Sequence, residues 1–146
     1  MTLRTAVTDR LMTTMTHAHR LLVKASGGRL GTRMGPSAVV ELNTIGRSSG
    51  KRRSAMLAAP VVEDGRYILV ASKGGDDRHP FWYTNLLADP NVEITVDGVT
   101  HPMRARPANP EEKAELWPRV VSAYRGYEQY QLKTEREIPV VICEPR

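Results

Sequence analysis

Apolar and polar residues alternate through Val39-Val40-Glu41-Leu42-Asn43-Thr44-Ile45, and a second apolar run extends from Ala55 to Val62. This pattern predicts strands over about 37–45 and 54–62. Glu63-Asp64-Gly65-Arg66 carries the Asp-Gly signature of a hairpin, so Tyr67 to Ser72 becomes a third strand. Val92-Glu93-Ile94-Thr95-Val96 and residues 99–106 flank a second Asp-Gly turn, and 138–143 closes the set. Between the strands, His79-Pro80 opens a short helix from Phe81 to Ala88, which Asp89-Pro90 ends. Asn109 is placed to cap a helix whose first position is Pro110. Gly126 interrupts that helix, and a further helical segment carries Tyr127, Tyr130 and Leu132. Six strands joined mainly by hairpins predict a mainly β (α+β) fold, a small antiparallel barrel with short connecting helices.

Upstream of the strands the period changes. Leu3, Ala6, Val7, Leu11, Met15, Ala18, Leu22 and Ala25 recur three and four apart, which predicts an amphipathic helix that stops at Gly27-Gly28. The chain therefore divides into a basic helix and linker over 1–35 and a barrel domain over 36–146. Charge sharpens this division. The net charge is +5, and six Arg or Lys with one acid fall within residues 1–35, so the rest of the chain is balanced. Such a helix packs on its own domain or on a second subunit in a homodimer, or lies on an anionic membrane surface. Nucleic acid is not expected, because no aromatic residues accompany the charge. Aromatic residues are 5% of the chain, so the core must be aliphatic.

The densest chemistry is Gly46-Arg47-Ser48-Ser49-Gly50-Lys51-Arg52-Arg53, a cationic turn between two strands. Glycines let backbone N–H groups converge on an anion, and arginine adds planar recognition of phosphate oxygens. The alternative is a solvated hairpin tip. A P-loop is excluded, since three residues rather than four separate the glycines and Arg52 follows Lys51. Ala71-Ser72-Lys73-Gly74-Gly75 follows a strand end, where backbone N–H groups and a hydroxyl could meet a ligand's polar edge, or form only a surface loop. Tyr124, Tyr127 and Tyr130, three apart, approach one helical face, as core or as the wall of a pocket for a planar ligand. No metal site is expected, since His17, His19, His79 and His101 are not spaced with carboxylates or cysteine. The one cysteine, Cys143, excludes an internal disulfide and fits a reducing, cytoplasmic setting as a buried structural thiol.

Taken in order, Leu42 to Gly50, Val70 to Gly75, His79 to Leu86, Asp89-Pro90, the tyrosines with Gln131, and Arg136-Glu137-Ile138-Pro139-Val140 resemble the deazaflavin-dependent nitroreductases of actinobacteria, which use coenzyme F-420. The resemblance runs from about Val40 to the C-terminus. It implies a split β-barrel related to flavin-binding oxidases, and hydride transfer from the reduced deazaflavin to quinones, activated enones or nitroaromatic compounds. It implies that Arg47, Ser48, Lys51 and Arg53 hold the cofactor's anionic tail and that Met56 and Leu57 pack on its ring. Ala71, Ser72 and Lys73 would border the ring's polar edge, Trp82 and Asn85 would close the site, and Tyr124, Tyr127 and Tyr130 would line the substrate pocket. The family often has lysine where this chain has Ser48. FMN is the alternative cofactor, but its single short phosphate needs fewer cations than the turn displays; a barrel that binds a ligand without turnover is the non-enzymatic alternative.

Overall fold

The computed structural model describes residues 33–34 and 37–146. The helix expected over 2–26 and its glycine-rich linker lie outside the described residues, apart from Arg33–Met34. Eight strands occur among the described residues: β1 (Arg33–Met34), β2 (Ser37–Ile45), β3 (Arg52–Ala59), β4 (Val61–Glu63), β5 (Arg66–Val70), β6 (Asn91–Val96), β7 (Val99–Pro107) and β8 (Val140–Pro145). The count exceeds the expected six for two reasons. The expected 54–62 strand is divided at Pro60 into β3 and β4, and the two-residue β1 pairs with the start of β2. Three helices complete the described fold: α1 (Phe81–Ala88), α2 (Pro110–Ala123) and α3 (Gly126–Leu132).

All strand pairs are antiparallel. The long path runs β2-β6-β7-β8-β5-β4, with β3 on the other edge of β2. The sheet curls until β3 and β5 pack together without pairing, which makes a split barrel. A strand's period of two decides what fills it. On β2 and β3 the directly opposed pairs Val40–Leu57, Leu42–Ala55 and Thr44–Arg53 share one face. Val40, Leu42 and Ala55 are buried there with Trp82, Tyr83 and Leu86 of α1, and with Ile94, Met103 and Val141.

The opposite face of β5 and β8 is covered too. Ile68, Val70, Val140 and Ile142 join Leu116 and Val120 of α2, Tyr127 of α3 and Ile138 in a second cluster. Being buried on both faces explains why Ile138 to Cys143 reads as an unbroken apolar run. The start of α2 follows the sequence signal. Asn109 Oδ1 accepts from the Glu112 N–H at 2.8 Å, and Glu112 Oε1 accepts from the Asn109 N–H at 3.0 Å, a reciprocal capping box. Arg106 grips the same carboxylate with two bonds, at 2.7 and 2.9 Å, and so ties α2 to β7. That grip, with the Asn109 amide, holds the Glu112 carboxyl down at about 2.

Candidate functional site

The cationic turn is a built structure. The Gly46 N–H donates to the Lys51 carbonyl at 2.7 Å, and the Gly50 N–H donates to the Gly46 carbonyl at 2.8 Å. The Lys51 N–H donates to Ser49 Oγ at 3.2 Å. Gly50 sits at φ +69°, a left-handed conformation that suits glycine. A side chain on Gly46 would meet Ser49 Oγ at 2.6 Å and the Lys51 carbonyl at 3.3 Å, so the turn favours glycine at both positions.

Helix α1 then clamps the turn. Asn85 is buried, and its Oδ1 accepts from the Arg47 N–H at 3.1 Å and from Arg47 Nη1 at 3.4 Å. Its Nδ2 donates to Thr44 Oγ1 at 3.2 Å. Arg47 Nη1 also donates to Thr84 Oγ1 at 2.8 Å. Arg47 is thus anchored to α1, and Arg52 is paired with Glu93 at 3.3 Å. Lys51 and Arg53 are exposed and have no acidic partner among the described residues. Ser48 is exposed at the turn's tip.

Of the residues expected to pack on a ring, the structure separates two. Leu57 shares the barrel-facing side of β3 with Arg53, whereas Met56 lies opposite Glu41 on the other side. Adjacent strand residues point to opposite faces, so their side chains cannot cover one ring together. Trp82 is buried in the first core cluster, edge-on to Tyr83 at 6.4 Å.

At the far end of β5, Ala71, Ser72 and Lys73 lead into a tight turn with Lys73, Gly74 and Gly75 all at positive φ. Gly75 is pressed against α3, where a Cβ would meet the Tyr130 carbonyl at 2.9 Å. The loop is therefore in contact with the helix that carries two of the tyrosines. Ser72 is buried, and neither its hydroxyl nor its amide N–H has a hydrogen-bond partner among the described residues. A buried donor pair without partners is the exception in folded proteins, and it fits a site where a ligand's polar edge is received.

The same loop is held from behind by Arg136. Its Nε donates to the Asp76 carbonyl at 2.8 Å, Nη2 to the Ser72 carbonyl at 2.9 Å, and Nη1 to the Ala71 carbonyl at 3.2 Å. Nη1 also stands 3.1 Å from His79 Nδ1. A guanidinium only donates, so Nδ1 accepts and the neutral imidazole carries its proton on Nε2. Burial, reinforced by the Arg136 charge, pulls the His79 pKa down. Sequence reasoning missed this role. Arg136 stands among Lys133, Glu135 and Glu137 and reads as one more solvated charge; only its place before the Ile138-Pro139 run hinted at burial.

The tyrosines come together, but not along one helix. Tyr124 ends α2 in extended backbone, while Tyr127 and Tyr130 lie on α3. The break between the two helices lets the Tyr124 ring fold over Gly126, where any Cβ would collide with it. The Tyr124 and Tyr130 hydroxyls are 3.2 Å apart, and the Tyr124 and Tyr127 rings meet edge to face at 5.2 Å. Tyr127 is buried in the second core cluster, and burial pushes its phenol up to about 12. Tyr124 is half exposed. Among the described residues no group of three His, Cys, Asp or Glu could hold a metal ion, and no helix is long and apolar enough to cross a membrane.

Residues 15–145 match the family described as F-420H(2)-dependent quinone reductase. An F-420H(2)-dependent quinone reductase of Mycobacterium tuberculosis is 37% identical over 134 residues, which cover 88% of each chain. A solved structure of an F-420-H2 dependent reductase is 44% identical, with a TM-score of 0.66, covering 73% of this chain and 93% of its own. Another solved chain, described as a domain-swapped dimer, is 40% identical with a TM-score of 0.69, covering 88% of this chain and 94% of its own.

Replacing Asn85 with Ala strands the Arg47 amide and Thr44 hydroxyl inside the barrel mouth, and should cost about 1–3 kcal/mol. Thr84→Val, which removes an exposed partner of Arg47, should cost less than about 1 kcal/mol. Urea unfolding of the two variants checks the order.

Proposed function

The chain belongs to the F-420H(2)-dependent quinone reductases, and from that premise we propose how its residues divide the work. Lys51 and Arg53 hold the anionic tail of coenzyme F-420, with Arg47 and Ser48 shaping the turn around it. Leu57 lies along the ring's path inside the barrel mouth, Met56 supports β3 from the other side, and Trp82 and Asn85 hold α1 as the back wall. Ala71, Ser72 and Lys73 receive the ring's polar edge. The observation that carries this reading is the pair of exposed cations, Lys51 and Arg53, without acidic partners among the described residues, on a turn that α1 clamps. A turn that served only as a solvated tip would not need a buried asparagine beneath it.

When bound, the reduced deazaflavin supplies a hydride; the protein's own residues bind, orient and exclude water. Tyr124, Tyr127 and Tyr130 form the wall against which the acceptor rests: quinones first, with activated enones and nitroaromatic compounds in the same class. A Tyr127 phenol held up to about 12 stays neutral across the physiological range and is available as a proton or hydrogen-bond donor. The enzyme works in the cytoplasm. The basic segment expected over 1–35 adds to the barrel domain over 36–146, with Arg33–Met34 already paired to β2, and the part before that pairing brings the enzyme to the anionic inner face of the membrane. A homodimer is the assembly we favour, since a relative is described as a domain-swapped dimer.

Three measurements test this reading. Fluorescence titration should show F-420 binding well ahead of FMN, and Arg53→Ala should weaken F-420 by about 1.5–3 kcal/mol, less at high salt. FMN binding with no F-420 binding, or an unchanged Arg53→Ala affinity at low salt, would overturn it. Tyr127→Phe removes a buried hydroxyl without a described partner. Turnover of at least one quinone or nitro acceptor should fall while F-420 affinity and melting temperature hold, whereas Tyr127→Ala should lower melting temperature through lost packing. If Tyr127→Phe is silent on every acceptor, Tyr127 belongs to the core alone. Finally, anionic vesicles should sediment the full chain and leave a version beginning near Pro36 in solution; equal behaviour would remove the membrane from the proposal.

A further inference from the structure

The loop that ends β5 has an internal problem. Over Ala71 to Asp76 it presents three carbonyls, of Ala71, Ser72 and Asp76, to one side. Few backbone bonds hold it: Ala71 N–H to the Pro139 carbonyl at 2.9 Å, Gly75 N–H to the Ser72 carbonyl at 3.0 Å, and Asp76 N–H to the Lys73 carbonyl at 3.1 Å. Lys73 is held at φ +46°, a conformation that a residue with a Cβ adopts at a cost. Something outside the loop must fix this shape, and one side chain does so. The Arg136 guanidinium bonds all three carbonyls and the His79 ring from a half-buried position. With the carbonyls turned toward Arg136, the Ser72 N–H and hydroxyl have no partner among the described residues.

We propose that Arg136 is a positioning residue for cofactor binding: it sets the Ala71–Lys73 backbone so that the Ser72 donors stand ready for the ring's polar edge, with neutral His79 as its acceptor. The inference rests on the reading of that loop as the ring's binding edge. Lysine cannot replace this fork, because one ammonium cannot reach three carbonyls in a plane. The contact with His79 makes the device sensitive to pH. A protonated imidazole has no acceptor at Nδ1 and carries the same charge as its neighbour. The charged and titratable groups around this pair are few. The Tyr83 ring of α1 lies tilted against the His79 ring at 4.8 Å, and Asp76 and Asp77 favour the Arg136 charge. Arg78 pairs with Asp76 at 3.1 Å, and Lys73 also acts on Asp76. With the folded-state pKa of His79 held below the usual value of about 6.5, the neutral form persists in the folded protein while the unfolded chain takes up a proton. The stability linked to this contact is therefore fully present above about pH 6.5 and declines as pH falls below it.

The test compares wild type, Arg136→Lys and His79→Asn, whose Oδ1 keeps an acceptor where Nδ1 stood but cannot protonate. Hydrogen exchange on the protein without cofactor reads the loop directly. Arg136→Lys should speed exchange over residues 72–76 and leave β6 unchanged. Fluorescence titration with F-420 should give wild-type affinity that falls between pH 7 and pH 5, a Lys variant weaker by about tenfold or more at pH 7, and an Asn variant whose affinity is flat over that range. Unchanged exchange in Arg136→Lys overturns the positioning role whatever the cofactor proves to be. Faster exchange in Arg136→Lys with unaltered F-420 affinity overturns its link to binding. A His79→Asn affinity that still falls with pH removes His79 from the device. If wild type shows no F-420 binding, the functional reading fails and takes the binding half of this inference with it, while the exchange result still reports on the loop.

Discussion

Strand β2 is the constraint on which the rest depends. It pairs along one edge with β3 through eight successive residues and along the other with β1 at Ser37–Ala38 and β6 at Glu41–Asn43, so both edges carry partners. Its barrel-facing side, Val40, Leu42 and Thr44, is buried, and each of these positions meets something different. Val40 and Leu42 meet the apolar core. Thr44, one step from the turn, meets Asn85. A shift of one residue in this strand would turn every one of these groups outward. The cationic turn inherits its position from that register, because Gly46 follows directly on Ile45. Helix α1 reads the register twice, through packing at Leu86 and through hydrogen bonding at Asn85.

Charge in this molecule is sorted by partner rather than by number. Arg47, Arg52, Arg106, Arg119 and Arg136 are each committed to a carboxylate, a hydroxyl or a set of carbonyls. Lys51 and Arg53 stand apart from that pattern on the same turn. A count of basic residues would rank 46–53 as a uniform cationic patch, yet its cations differ: one is a fastener, one a sheet-edge pair, and two are exposed without an acidic partner among the described residues. Only the last kind is available to an anion without breaking something else.

Much of this was legible in the sequence where a signal is local. Alternation located β2, Pro80 and Asp89 bounded α1, and Asn109 with Glu112 announced the capping box, because each depends on residues within a turn of one another. Met56 and Leu57 show a limit of a different kind: strand parity separates them, and reading them as a pair ignored the period that had located the strand. The tyrosines were grouped correctly, but by a continuous helical face that Gly126 interrupts; the rings meet because the break lets Tyr124 fold back. Arg136 was beyond reach. Its partners lie some sixty residues away in the sequence, and its neighbours offer only the following Ile138-Pro139 run to distinguish a half-buried guanidinium from a solvated one.

The chain's single sulfur nucleophile has a further meaning for an enzyme that handles quinones. Quinones and enones are soft electrophiles, and a thiolate adds to them readily. Cys143 lies in β8 with its side chain in the first core cluster, fully covered, and burial pushes the thiol up to about 12. The nucleophilic form is therefore nearly absent at neutral pH, and the neutral form is out of reach. The fold thus keeps this thiol from adding to the enzyme's own substrates, so repeated turnover need not end in its alkylation.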